Sequence, residues 1–125
     1  MAAKYRIKTV LLATDSDLVA REMPAMLPGL KVVSIKSYDR KELDLPFGRY
    51  LEGTLQEDCG DTCVDGTTLL DFTIADLVLL SGCRAFVGHL ASNLSRLALA
   101  LAVARYGKMI PYASVDGPWC PHWQS

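Results

Sequence analysis

Apolar positions along the chain fall into short unbroken runs separated by longer, more polar stretches. Thr9 to Thr14 (TVLLAT) is such a run, and it ends at Asp15. A run with little polar alternation predicts a strand of a parallel sheet, because helices cover both faces of such a strand. The Thr14-Asp15-Ser16-Asp17 cluster offers N-caps for a helix from about Asp17 toward Leu27. Pro24 shortens or kinks that helix, and Pro28-Gly29 ends it at the latest. Leu30 to Ile35 (LKVVSI) predicts a second strand, so the chain opens as strand, helix, strand, the start of an α/β unit.

Ser37 to Asp65 is polar and turn-rich, with Pro46, Gly48, Gly53 and Gly60, and reads as a long surface segment with a short strand near Tyr50 to Leu55. Thr67 to Leu80 is apolar nearly all round, interrupted by Asp71 and Asp76, which predicts a buried or half-buried helix. Ala85 to Gly88 (AFVG) predicts a third strand, and Ser92 to Tyr106 a strongly apolar helix closed by Gly107. Met109 to Val115 predicts a last strand, at an edge because of Pro111, and Asp116-Gly117-Pro118 a turn. The expectation is a single α/β domain over residues 1–125, Rossmann-like, with a mostly parallel sheet.

Composition changes this picture little. An apolar fraction of 50% with 22% charged residues in 125 residues suits a folded domain with a sizeable core and excludes a disordered chain. The formal net charge of −1 sets up no global field for nucleic acid or acidic membrane, so ligand recognition has to be local. The N-terminal MAAKYRIK lacks the apolar stretch of a signal peptide. The most apolar run, Leu94 to Ala104, contains Ser95 and Arg96 and falls short of the roughly 20 residues that span a bilayer. No membrane segment and no nucleic-acid partner are expected. Cys59, Cys63, Cys83 and Cys120 suit either disulfides or inert thiols. With His122 they match no standard zinc spacing, so no metal is expected.

The segment Gly88-His89-Leu90-Ala91-Ser92-Asn93-Leu94-Ser95-Arg96 comes after a predicted strand and opens a predicted helix. Free backbone N–H groups and the positive end of the helix dipole make that position suitable for a phosphate. Ser92 can cap the helix or donate its hydroxyl to a ligand, and Arg96 lies one turn on, on the same face. The plainer alternative is a cap at Ser92 and an aspartate partner for Arg96. Neither GxGxxG nor GxxxxGK[ST] occurs. Asp76 shares a helix face with Leu69, Phe72 and Leu80, where a desolvated carboxylate needs donors: ligand N–H groups, a backbone amide, or Arg96. Asp15 and Asp17 sit past the end of the first strand, where open α/β sheets bind ligands, although capping accounts for one of them. His89 either touches a sugar or phosphate or is structural. A response-regulator-like phosphoacceptor would need a lysine after a later strand, and none stands there.

The string Asp76-Leu-Val-Leu-Leu-Ser81, Ala85-Phe-Val-Gly88, Ala91-Ser-Asn-Leu-Ser-Arg96-Leu-Ala resembles the C-terminal donor-binding motif of GDP-fucose-dependent fucosyltransferases. It is most similar to the α-1,6-fucosyltransferases and more distantly to the protein O-fucosyltransferases. Leu11 to Asp15 resembles the strand end of the same half-domain, so the resemblance covers most of residues 7–106. It implies the C-terminal lobe of a GT-B glycosyltransferase, metal-independent, with GDP-fucose as the nucleotide-sugar donor and an ER or Golgi lumen setting. Carried over, Asp76 binds the guanine, Ser92 the diphosphate, and Asp15 lies beside them, with His89, Asn93 and Arg96 completing the donor site. Ser16 stands where the family has a second aspartate, with Asp17 next to it, and His89 stands where it has a threonine. The family's upstream arginine-containing motif and its acceptor lobe have no counterpart here, so the isolated chain is expected to show little or no transfer. The other expectation is a non-catalytic nucleotide-binding or protein-interaction module.

Overall fold

The computed structural model describes residues 1–35 and 66–117. Among the described residues the chain is mixed α/β, with three helices and two pairs of parallel strands. It divides into two compact units, Met1–Thr73 and Ile74–Ser125. The strand expected near Tyr50 to Leu55, together with Cys59, Cys63, Cys120 and His122, lies outside the described residues.

In the first unit, β1 (Thr9–Leu11) pairs in parallel with β2 (Lys31–Val33), Val10 facing Val32 in register. The six-residue apolar run beginning at Thr9 thus yields a three-residue strand. Its ladder reaches one bond further at each end, Leu12 N–H to the Val33 carbonyl at 2.8 Å and Lys31 N–H to the Lys8 carbonyl at 2.9 Å. Between the strands runs α1 (Asp17–Met26). Its N-cap is Ser16, whose hydroxyl accepts from the Val19 N–H at 3.4 Å, so neither Asp15 nor Asp17 is the cap. Thr14 steadies this entry by accepting from the Ser16 N–H at 3.2 Å. Asp17 in the first turn suits the helix dipole and pairs with Arg21 at 3.0 Å, one turn on. Pro24 does not shorten the helix, which continues two residues beyond it.

α2 (Gly66–Ser81) leads into the second unit. There β3 (Phe86–Gly88) pairs in parallel with β4 (Tyr112–Ser114), joined by α3 (Asn93–Tyr106), which makes a βαβ unit. Pro111 stays just outside the ladder and contributes only its carbonyl, which accepts from the Phe86 N–H at 2.9 Å. α3 ends as its sequence requires: Gly107 adopts the left-handed conformation at φ 64°, which a side chain disfavours.

The core of this unit consists of Phe86, Leu90, Ala98, Leu99, Ala102 and Ile110, with Leu77, Leu80 and Val103 packed against it. Ala98 and Ala102, one turn apart and both fully buried, let α3 lie close to its neighbours. The apolar-all-round pattern of the two longer helices predicts more complete burial than they have. Leu70, Ile74 and Val78 are exposed on α2, and Leu94, Leu97 and Leu101 on α3. The covered residues fall on one side of each helix, Leu77 and Leu80 on α2 and Ala98, Leu99 and Ala102 on α3. The pleat likewise buries Phe86 and turns Val87 outward. No helix among the described residues is long and apolar enough to cross a membrane.

Candidate functional site at the start of the third helix

The chain leaves β3 at Gly88, crosses His89–Leu90–Ala91 and enters α3 behind Ser92. Three local features set this path. Leu90 drops its side chain into the core, almost fully buried. The Ser92 N–H donates to the His89 carbonyl at 2.9 Å and closes the turn. Gly88 lies where a Cβ would collide with the Phe86 ring and come within 3.3 Å of the Ser95 hydroxyl, so glycine is what permits this close approach. Ser92 holds the extended N-cap conformation, φ −75° and ψ 132°, yet its hydroxyl makes no capping bond. The sequence offered it both as cap and as ligand donor; the backbone takes the cap position and leaves the hydroxyl uncommitted to the helix.

The turn already holds an anion, and it is a residue of the chain itself. Asp116, two residues beyond β4, accepts from the Leu90 N–H at 2.9 Å through one carboxylate oxygen and from the Ala91 N–H at 2.6 Å through the other. The Ser114 hydroxyl also donates to it. The His89 Nδ1 stands 3.2 Å away, with its ring largely exposed. The Ser114 hydrogen bond, with those of the Ala91 and Leu90 amides after it, lowers the Asp116 carboxyl from its ordinary 3.8 to about 2. Reading the sequence as a turn at Asp116-Gly117-Pro118 overlooked this role. The signal lay in topology: strands running parallel end side by side, so the segment leaving β4 meets the turn leaving β3.

Arg96 folds back toward the start of its own helix. Its Nη2 donates to the Ala91 carbonyl at 3.4 Å and to the Asn93 side-chain oxygen. An aspartate partner is the plainer of the two alternatives from sequence; Arg96 instead has these two neutral acceptors. A guanidinium in the first turn opposes the helix dipole, and neutral acceptors compensate it less than an anion does. His89, Ser92, Asn93 and Arg96 are thus gathered on one turn. Asp76 stands on α2 and is 8% exposed, a buried carboxylate as its helix face implies. Asp15 is exposed beyond β1, in the first unit. Cys83 is a free thiol that donates to the Leu79 carbonyl at 3.6 Å, and burial raises its pKa. Among the described residues no three His, Cys, Asp or Glu side chains converge as metal ligands would.

Compared with family models, with curated proteins and with solved structures, the chain matches none of them.

Proposed function

We propose that the chain is the donor-nucleotide half of a fucosyltransferase-like glycosyltransferase, a Rossmann-like lobe of GT-B type that binds GDP-fucose without a metal. One observation carries the reading. The residues that resemble the donor motif, Gly88 to Arg96, fall on a strand end, a turn and a helix start within a parallel βαβ unit. Phosphates bind at this position because backbone N–H groups converge there and the helix dipole favours negative charge. Ser92 and Arg96 would meet the diphosphate, with Asn93 and His89 at its flank. The Asp76 carboxylate would accept from the guanine edge.

A second reading, a non-catalytic interaction module, draws support from the occupancy of the turn by Asp116. Calorimetric titration with GDP, GDP-fucose, UDP and ADP separates the two. The donor reading expects guanine-selective binding, weakened at least ten-fold in Asp76→Ala and in Arg96→Ala, about 1.4 kcal/mol. Absence of binding by all four nucleotides would sink it in favour of the interaction module.

A further inference from the structure

The donor reading leaves one contact unabsorbed. Two consecutive amides of the turn just ahead of α3, those of Leu90 and Ala91, are bonded to a carboxylate from the far end of the βαβ unit. We propose that Asp116 is an internal stand-in for the ligand anion, a clasp that must open before the turn at the start of α3 can accept a phosphate. The inference rests on the donor reading and adds to it a way in which the same site is regulated.

The geometry favours a clasp that closes well and opens locally. Each carboxylate oxygen takes one amide, Oδ1 that of Leu90 and Oδ2 that of Ala91. Ser114 orients the group from within its own strand, and His89 flanks it from the turn. Asp116 sits directly after Val115, whose N–H donates to the Gly88 carbonyl at 3.1 Å and is the last backbone bond joining the two strand ends. Gly117 comes next at φ 130°, a conformation open to glycine. The residues between that bond and Gly117 can therefore move without unzipping β4. A ligand that binds only the open form has its affinity reduced by the fraction of molecules that are open. Loosening the clasp therefore raises affinity.

The test is titration of the full chain with inorganic pyrophosphate, comparing the wild type with Asp116→Asn and Ser114→Ala. Asp116→Asn removes the charge that holds both amides and is expected to tighten binding about ten-fold or more. Ser114→Ala keeps the charge and removes only the hydroxyl that orients it. It should tighten binding by a smaller factor, about two- to five-fold, which simple repulsion between Asp116 and pyrophosphate would not produce. In the wild type, pyrophosphate should shift the Leu90 and Ala91 amide resonances and return the Asp116 carboxyl toward its ordinary titration range. This last measurement stands even where a variant folds poorly. Equal affinity in all three proteins, or a gain in Asp116→Asn alone, overturns the clasp and leaves the donor reading in place. Failure of every protein to bind pyrophosphate overturns both.

Discussion

Asp116 gathers a hydroxyl and two amide donors around one carboxylate, and a histidine ring stands beside it. Donors that favour the ionised form lower the pKa, and the lowering links to stability with a definite sign. The folded protein holds the proton less tightly than the unfolded chain does. Ionised Asp116 therefore stabilises the fold fully above the ordinary value of 3.8, and the contribution fades as pH falls toward about 2. Denaturant unfolding of wild type and Asp116→Asn should accordingly differ at neutral pH, the wild type being the more stable. The gap should close between about pH 4 and pH 2. A gap that persists unchanged to pH 2 would show that the carboxylate is not what holds the turn.

The elements themselves were largely legible. The ends of α3 could be read because they are local chemistry: Ser92 before the helical run and Gly107 after it place its start and stop, whereas at α1 the cap is Ser16 and not an aspartate, and the stop falls at Leu27 and not at a glycine. Strand lengths were overestimated, since an apolar run reports burial while a ladder needs a partner of matching length, as the three residues of β2 show. Helix burial was overestimated for a related reason: an apolar all-round pattern gives no face, and tertiary contacts choose which stripe is covered. Of the candidate site, His89, Ser92, Asn93 and Arg96 were legible because they are close together on one turn. Asp116 was not, because it arrives from 25 residues away along the chain. Gly88 offers a test of this element-level packing. Gly88→Ala should lower stability by about 1–3 kcal/mol through overpacking against the Phe86 ring, read by thermal denaturation. A neutral result would mean that the ring moves aside freely.

At the scale of the whole molecule, the second unit rests on a small core. Among the described residues, six buried apolar side chains, two of them alanines, anchor a βαβ unit whose outer helix faces remain exposed. Few contacts carry the stability, so each should count heavily. Leu99→Ala removes one of the larger side chains from that core and should cost about 2–5 kcal/mol, a large share of what a domain this size holds in reserve. Chemical denaturation measures it, and a loss under about 1 kcal/mol would indicate that the site collapses around the gap.

The far end of α3 is fastened in another way. Arg105 donates to the Ser81 hydroxyl at 3.3 Å, and Tyr106 to the Gly82 carbonyl at 2.7 Å, which ties the last turn of α3 to the last turn of α2. Fourteen residues at about 1.5 Å each put that fastening about 21 Å from the turn that Asp116 grips. The helix is a strut bolted at its foot, with its head held by the Asp116 latch together with the buried Leu90 and the bond from Ser92 to His89. Freeing the latch lets the head sway while the foot keeps its footing. The motion should appear as faster amide exchange around residues 89–93, with that of 102–106 unchanged.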